Sequence, residues 1–368
     1  MIADSGHSVR DAAGRRWPAP DGIPFLRVGR EALASDALVR LDAGDRVGAL
    51  VLLLADQDDW WRGATAEPAA LRELVERCDT LSLREAMGLL AWGPVADYFA
   101  HRWSDPTFLA GLALIEAHVP APAIAFELAC GIGHHLRELS CRGSAVTGVD
   151  VVFAKLWVAR HWVVPGARLL CLDATQEWPL PTGGFDLVAC HDAFYFLEPK
   201  SIILARLERL LAPAGVLAIG HIHNSEWPNL SAGSGMNAAE LATMFPGAAL
   251  YDDAELTRAL AEARSPATAT PEALAAVEAF AIAGGPGLTA ARPVVGGLAL
   301  PPAGAALARN PLYDGDCRVA WPSPRYRQEY GPRATYPMQT GAPLTTIHDV
   351  AHEAQARRRE LVHLPERW

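Results

Sequence analysis

The sequence predicts an α/β protein built on a Rossmann-like, doubly wound and mostly parallel sheet, and three observations support this prediction. Five apolar runs alternate with helical segments between residues 122 and 224. The first run leads directly into a small-residue turn that opens a helix, and most of the runs end in a polar side chain. This alternation is typical of doubly wound sheets, which bind ligands beyond the C-terminal ends of their strands.

The first run is the most informative part of the chain, because it carries the motif Phe126-Glu-Leu-Ala-Cys-Gly-Ile-Gly-His-His-Leu136. Glu127 closes the predicted strand, and the turn after it contains the small residues Ala129, Gly131 and Gly133. Small residues let the backbone approach a ligand closely. The helix that follows points its positive N-terminal end at the same place, which favours an anionic group such as a carboxylate.

Three further apolar runs follow in order, at residues 144–150, 168–173 and 185–192. Asp150 ends the first of them, 17 residues after Gly133, where a strand–turn–helix–strand unit places a carboxylate beside ribose hydroxyls. Asp173 ends the next run, and His191 and Asp192 end the last one. The helix and the fifth strand that should complete this unit are expected at residues 200–211 and 216–222.

This ordered set resembles the class I S-adenosylmethionine-dependent methyltransferases over about residues 122–224. The resemblance implies that S-adenosylmethionine is the cofactor. By position in the family's motifs, it also implies these cofactor-binding residues: Glu127, Ala129, Cys130, Gly131, Gly133, Asp150, Val151, Asp173, Ala174 and His191. Ala129 stands where the family usually has glycine, which matters if the turn requires a positive φ there.

Two alternatives to this interpretation concern the same domain. A nicotinamide enzyme would carry a third glycine in the motif, but position 136 is Leu136, so no Gly-x-Gly-x-x-Gly is present. S-adenosylmethionine has no pyrophosphate that would need that glycine. The second alternative is a Rossmann-like domain whose pocket is empty or decayed.

The chain divides into four expected units, at residues 1–45, 46–120, 121–225 and 226–368. In the first unit, residues 14–26 resemble the C-terminal hairpin of the small zinc-ribbon proteins that activate some methyltransferases. The zinc-binding cysteines of that family are absent, so such a module would fold without metal. An ordinary N-terminal β-hairpin, turning at Asp21 and Gly22 and continuing into a short apolar strand, explains the same residues.

The flanking units are expected to cover the cofactor domain. The 46–120 segment has the apolar spacing of helices, and Tyr98 within it is either a lid residue over the cofactor or a core aromatic. Core packing is the favoured interpretation for that side chain. After the fifth strand, short helices are expected from about 237 and over 253–264, with the last two strands between 290 and 322 and an extended tail beyond.

The composition limits the partners and the compartment. A formal net charge of −10 argues against a nucleic-acid partner, because phosphate binding relies on clustered Lys and Arg. The longest apolar run, residues 47–55, is far shorter than the roughly 20 residues that span a bilayer. The six cysteines form no Cys-x-x-Cys pair and are expected to be reduced, so a cytoplasmic protein without a signal peptide or membrane contact is predicted.

Histidines supply the candidate chemistry. His191 ends the fourth strand and is a candidate general base, with an adenosine-contacting or supporting role as the alternative. His221 and His223 alternate on the fifth strand and should therefore share a face. With His191 and Asp192 they could hold Zn²⁺ or Fe²⁺, although a metal-free pocket is the favoured interpretation. The expected substrate contacts are Tyr195, His221, His223, Asn224 and Trp227, with Asn229 in the same 224–235 loop.

The sequence thus predicts an S-adenosylmethionine-dependent methyltransferase that acts on a small-molecule acceptor by in-line transfer. The zinc-ribbon-like start leaves an RNA base methyltransferase as one alternative. A catalytically silent scaffold or activator subunit that still binds the cofactor is another. A homodimer is left open, and neither the acceptor nor the methylated atom follows from the sequence.

Overall fold

The computed structural model describes residues 2–121, 123–228 and 233–368. These residues form the following strands: β1 (Ile2–Ser5), β2 (Ser8–Arg10), β3 (Arg16–Pro18), β4 (Ile124–Leu128), β5 (Ala145–Asp150), β6 (Arg168–Cys171), β7 (Phe185–His191), β8 (Leu211–His223), β9 (Ala249–Asp252), β10 (Ala279–Gly284), β11 (Ala306–Arg309), β12 (Thr345–Ile347) and β13 (Leu361–Val362). The helices are α1 (Glu31–Asp42), α2 (Arg46–Ala55), α3 (Pro68–Glu76), α4 (Leu83–Leu89), α5 (Pro94–His101), α6 (Pro106–His118), α7 (His134–Ser140), α8 (Phe153–Val158), α9 (Lys200–Leu210), α10 (Ala238–Met244), α11 (Asp253–Glu262), α12 (Pro271–Leu274), α13 (Pro324–Tyr330) and α14 (Glu353–Arg357).

A seven-stranded sheet with the order β6-β5-β4-β7-β8-β10-β9 forms the centre of the protein. The five strands from β6 to β8 in that order are parallel, and β10 is antiparallel to both of its neighbours. The fold class predicted from the sequence is therefore confirmed. Helix α6 packs against both this sheet and α11, and every one of its residues is buried, which fits its nearly continuous apolar sequence.

The last two strands of the sheet are not where the sequence placed them. They are β9 and β10, both before residue 290, whereas β11 pairs with β12 and β13 in a separate three-stranded sheet. The prediction of residues 290–322 was wrong because β10 is an alanine-rich run that is buried throughout. Without an alternating pattern, such a run cannot be told from a buried helix by periodicity.

The N-terminal segment forms a three-stranded antiparallel sheet of β1, β2 and β3. The predicted tight turn follows it, with Asp21 at φ 53° and Gly22 at φ 73°. The apolar strand expected after the turn is instead a single parallel bridge between Phe25 and Cys171 at the outer edge of β6. The resemblance of this segment to zinc-ribbon activators stays a prediction.

Strand β8 contains a β-bulge next to its C-terminal end. Phe280 of β10 pairs with Ile222, but Ile282 pairs with Ile219, so Gly220 and His221 together oppose one residue. His221 has φ 53°, which places this residue in the left-handed region. Bulges of this kind redirect side chains and are common next to functional sites.

Candidate active site

A cavity of about 690 Å³ lies at the C-terminal edge of β4, β5 and β7. Its floor is the sheet edge and the turn that begins at Ala129, and helix α5 forms one wall. Residues 57–61 and residues 323–330 supply further parts of the wall. The volume is within the roughly 300–1,000 Å³ that is usual for small-molecule and cofactor sites.

Asp150 joins the two turns that border the cavity. Its Oδ2 accepts a hydrogen bond from the Gly131 backbone N–H at 3.0 Å, and its Oδ1 accepts one from the Val152 N–H at 2.9 Å. The Lys155 ammonium lies 3.7 Å from the same Oδ1. Because each carboxylate oxygen can accept two hydrogen bonds, Asp150 keeps accepting capacity on the cavity side.

The turn after β4 needs left-handed backbone at three positions. The φ angles are 55° at Ala129, 56° at Gly131 and 83° at Gly133. Ala129 and Gly131 line the cavity, but Gly133 does not. A Cβ at Gly133 would lie only 2.8 Å from Cγ1 of Val164, so this glycine allows close packing there, and its predicted contact with the cofactor stays a prediction.

The other predicted cofactor residues all line the cavity: Glu127, Ala129, Cys130, Gly131, Asp150, Val151, Asp173, Ala174 and His191. Their contacts to the cofactor stay predictions. Asp173 stands at the edge, where its Oδ1 accepts hydrogen bonds from the backbone N–H of Thr175 at 2.7 Å and from the Thr175 hydroxyl at 2.6 Å. This Asx turn fixes the loop after β6, which holds Ala174 at the cavity wall.

Glu127, His135 and His191 form a buried cluster on the cavity floor. Nδ1 of His135 and Oε1 of Glu127 are 3.0 Å apart, and the His135 and His191 ring centroids are 4.3 Å apart. Burial raises the pKa of Glu127 to about 7, although His191 and Arg102 act in the opposite direction. Burial lowers the pKa of His191 to about 3, so its imidazole is neutral and weakly basic in this cluster. A pKa that low is unfavourable for the general-base role predicted from the sequence.

Asp192 connects three elements around the cavity. Its Oδ2 accepts from the Tyr98 hydroxyl at 2.8 Å and from an Arg102 guanidinium N–H at 3.1 Å, and its Oδ1 accepts from the Tyr195 hydroxyl at 3.0 Å. Burial alone would raise the pKa of Asp192, but His221, Arg102 and the Tyr98 hydroxyl together hold it at about 2. Tyr98 is therefore a cavity residue, and packing in the core is only part of its role.

Most of the predicted substrate contacts lie outside the cavity. Of the predicted set, Tyr195 lines it, whereas His221, His223, Asn224 and Trp227 do not. His221 pairs with Asp253 at 3.0 Å, and the His223 ring stacks on Tyr195 with centroids 3.9 Å apart. These contacts hold the cavity wall in place from the side that faces away from the cavity.

Asn224 and Trp227 have structural surroundings that explain their absence from the cavity. The Asn224 amide donates to the backbone carbonyl of Val277 at 2.8 Å and is fully buried. The Trp227 side chain is 43% exposed at the surface. Asn229, also predicted to be a contact, lies outside the described residues.

The three histidines that could have shared a metal fall into two groups. Among the described residues, ligand atoms of Glu127, His135 and His191 come within 4.8 Å of one another, and those of Asp192, His221 and His223 do so separately. His191 therefore does not join His221 and His223 in one ligand set. The bulge in β8 separates them, because it redirects the side chains at the end of that strand.

Several cavity residues were missed from the sequence: Trp60, Trp61, Arg102, Lys155, Tyr326 and Tyr330. Trp60 and Trp61 lie in a polar turn that interrupts the helical segment at residues 46–120. Two adjacent tryptophans in a polar turn could have been used to predict that these residues line the cavity. Tyr326 and Tyr330 lie almost 200 residues beyond the first motif, in the aromatic and proline-rich tail. Only tertiary packing brings α13 to the mouth of the cavity.

Residues 126–219 match the methyltransferase domain family. The chain is similar to the trans-aconitate 2-methyltransferase of Paracidovorax citrulli, with 32% identity over 117 residues, which are 31% of this chain and 45% of the relative. A second curated relative, from Bacillus subtilis, is 31% identical over 116 residues, 30% of this chain and 47% of the relative. The chain thus spans about half the length of the curated relatives it matches.

Solved structures also match. The 1,6-didemethyltoxoflavin-N1-methyltransferase of Burkholderia thailandensis is 21% identical, with 54% of this chain and 84% of that chain covered and a TM-score of 0.37. The PH0226 protein of Pyrococcus horikoshii is 24% identical, with 26% and 48% covered and a TM-score of 0.25. The domain match confirms the predicted resemblance to methyltransferases and, with it, S-adenosylmethionine as the cofactor of this domain. In the described part of the chain, no helix is both long and apolar enough to span a bilayer.

Proposed function

We propose that this protein transfers the methyl group of S-adenosylmethionine to a small molecule held in the cavity. The observation that carries the proposal is the Asp150 carboxylate, which accepts from the Gly131 N–H at 3.0 Å and lines the cavity together with the β4 turn. A strand-end acid fastened to a small-residue turn is suited to bind ribose hydroxyls beside the backbone.

The enclosure of the site supports a small acceptor. Helix α5, residues 57–61 and residues 323–330 all stand around the strand ends, and each adds aromatic side chains to the wall. A groove for RNA would need clustered cationic side chains, and the chain has a formal net charge of −10. An enclosed, aromatic-lined cavity fits a molecule of limited size better than a polymer.

The residues around the cavity contribute more by positioning the acceptor than by transferring a proton. When bound, S-adenosylmethionine supplies an already activated methyl group, so holding the acceptor in line with it provides most of the rate, up to roughly 7–11 kcal/mol. Tyr98, Arg102 and Tyr195 all donate to Asp192 and thereby fix one side of the cavity. His191 stays a candidate contact for the acceptor, with low basicity because burial lowers its pKa.

Calorimetric titration with S-adenosylmethionine tests the cofactor part of the proposal. Asp150→Asn should weaken binding by at least about tenfold, because one good charge-assisted hydrogen bond contributes about 1.5–3 kcal/mol. Asp186→Asn is the matched control, since this exposed aspartate lies at the opposite end of β7, where its Oδ2 accepts a hydrogen bond from the Ile124 backbone N–H. Equal binding by both variants would contradict the assignment of Asp150.

A methylation screen tests the acceptor. Purified protein is incubated with methyl-labelled S-adenosylmethionine and either a metabolite extract or total RNA, and transferred label and S-adenosylhomocysteine are measured. Label in a small metabolite supports the proposal. Label confined to RNA would favour the alternative of an RNA base methyltransferase. Cofactor binding without turnover in any acceptor pool would favour a silent scaffold subunit.

A further inference from the structure

The Glu127–His135–His191 cluster has unfilled bonding capacity inside the protein. The three residues are 3%, 3% and 5% exposed, so water reaches them only through the cavity. Among the described residues, Oε2 of Glu127, Nε2 of His135 and both ring nitrogens of His191 have no hydrogen-bond partner. Leaving a buried polar atom without a partner costs about 1–3 kcal/mol, and more for a charged group. Four such atoms in one place indicate a missing polar or cationic partner.

We propose that Glu127, His135 and His191 bind a divalent transition-metal ion at the floor of the cavity. One ligand atom from each of the three residues lies within 4.8 Å of the other two, so small side-chain movements would bring all three to one ion. Two imidazoles and one carboxylate are donors that suit Zn²⁺ or Fe²⁺. All three residues line the cavity, so the remaining coordination positions face a bound acceptor.

The ring orientations specify which atoms would ligate. A Cβ built on Gly111 would lie 2.5 Å from Nε2 of His135, and one on Gly220 would lie 2.5 Å from Nδ1 of His191. Those nitrogens therefore face glycine backbone, which leaves Nδ1 of His135 and Nε2 of His191 for the ion. Nδ1 of His135 is 3.0 Å from Oε1 of Glu127, close to the separation of two ligands that are each about 2.0–2.1 Å from one ion.

Charge also favours a cation at this place. The neutral imidazole ring is the form in which histidine ligates metals, and the two buried rings of His135 and His191 can each offer one nitrogen lone pair. The Oε2 atom of Glu127 has no hydrogen-bond partner among the described residues, so it can take part in binding a cation. A divalent ion would compensate the carboxylate and use the lone pairs that the neutral rings offer.

The second group, Asp192 with His221 and His223, is a weaker candidate for the same ion. Both oxygens of Asp192 already accept hydrogen bonds, including one from Arg102. His221 is held by Asp253, which also pairs with Arg333 at 3.0 Å. Existing partners and two nearby guanidinium groups make this group less receptive to a cation.

Titration of the full chain with Co²⁺, after treatment with a chelator and without a histidine tag, tests the proposal. Co²⁺ reports its coordination through visible absorption, and a competing chromophoric chelator gives the affinity. We expect one tightly bound ion per chain, with affinity lowered by at least about tenfold in Glu127→Gln and in His191→Asn. His101→Asn is the matched control, because His101 is buried with an unpartnered nitrogen but belongs to neither group.

Two further measurements keep the test decisive. Thermal unfolding of each variant shows that it is folded, and Gly220→Ala, which pushes against His191 without removing a ligand, should also weaken binding. Absence of stoichiometric binding, or binding unaltered in Glu127→Gln and His191→Asn, overturns the proposal. Loss of binding in His221→Asn alone would place the ion in the other group and overturn it as well. The titration is made without S-adenosylmethionine, so its result is independent of the proposed methyl transfer.

Discussion

At the scale of single residues, Ala129 adopts a backbone conformation that alanine reaches only at a cost. Its φ of 55° belongs to the left-handed region, which costs an L-residue roughly 1–2 kcal/mol. Glycine avoids that cost but loses more conformational entropy on folding, about 0.5–1 kcal/mol. The turn between β4 and α7 therefore stores a modest strain beside the cavity.

Replacing Ala129 with glycine should relieve this strain. We expect Ala129→Gly to raise the free energy of unfolding by about 0.5–1 kcal/mol, measured by urea denaturation. Ala125→Gly is the control, because Ala125 lies within β4, where glycine should destabilise the protein. A loss of stability in both variants would show that the methyl group of Ala129 makes a packing contribution larger than the strain.

Two tyrosines of the cavity wall, Tyr98 and Tyr326, differ in the hydrogen bonding of their hydroxyl groups, and the effect on stability can be measured. The Tyr98 hydroxyl donates to Asp192 at 2.8 Å, whereas the buried Tyr326 hydroxyl has no hydrogen-bond partner among the described residues. Tyr98→Phe should lower the free energy of unfolding by about 1.5–3 kcal/mol, because the acceptor is charged. Tyr326→Phe should leave it unchanged or raise it. Equal losses in the two variants would mean that the Tyr98–Asp192 bond contributes little.

At the scale of elements, the local sequence pattern predicted the parallel strands of the sheet but not the two antiparallel-paired strands, β10 and β9, at its other edge. Strands β4 to β8 each carry a clear apolar run with a polar end, and all five were predicted from these patterns. β9 has only four residues, and its partner β10 is an alanine-rich run without alternation. Their positions depend on the pairing of β10 with β8 and of β9 with β10, which is a tertiary property.

The same limit applies to the candidate site. Asp150 and the β4 turn could be predicted because they follow one another in a single strand–turn–helix–strand unit. The bulge that redirects His221 depends on pairing between β8 and β10, which are almost 60 residues apart. The position of His135 beside His191 depends on how α7 packs on the sheet. Residues within one unit were therefore predictable, and contacts between units were not.

Asp21 connects the N-terminal turn to α8 and to the π-helical turn that follows α8 at Ala159–Val163. Its Oδ2 accepts from Nε1 of Trp157 at 2.7 Å and lies 3.0 Å from Nε2 of His161, and its Oδ1 accepts from Arg46. Burial would raise the pKa of Asp21, but these three partners lower it from 3.8 to about 2. The native state therefore favours the ionised form.

The stability from Asp21 should depend on pH in a defined direction. Because the folded pKa is depressed, the contribution is present above about pH 4 and is lost as the pH falls toward 2. At about 1.4 kcal/mol per pKa unit, Asp21→Asn should cost about 2 kcal/mol near neutral pH and progressively less below about pH 4. Urea denaturation across this range measures the difference, with exposed Asp36→Asn as the control. A cost that does not shrink in acid would contradict the assignment.

At the scale of the whole molecule, the C-terminal segment closes the site and then returns to the helical layer. Helix α13 adds Tyr326 and Tyr330 to the cavity wall. Farther along, the Trp368 indole N–H donates to the Ala100 carbonyl at 2.9 Å, and an Arg367 N–H donates to the His161 carbonyl at 2.7 Å. The tail thus spans from the cavity mouth to α5 and to the turn that follows α8.

Arg333 fixes the position of α13 against the sheet. It donates to Oδ2 of Asp253 at 3.0 Å and lies 3.4 Å from Oε1 of Glu278. Asp253 is 1% exposed, so removal of Arg333 leaves its carboxylate with His221 as the remaining charged partner. Breaking a buried ion pair from one side typically costs about 3–5 kcal/mol.

Arg333→Gln should therefore release the segment around α13 from the cavity. We expect faster cleavage of residues 310–345 in limited proteolysis, and weaker binding of S-adenosylmethionine because one wall of its cavity moves. Arg327→Gln is the matched control, since Arg327 is an exposed arginine of α13. If Arg333→Gln resists the protease as well as the control does, contacts other than the Arg333–Asp253 pair hold α13. In that case the C-terminal tail would be held firmly to the rest of the protein and would not move independently of the cavity.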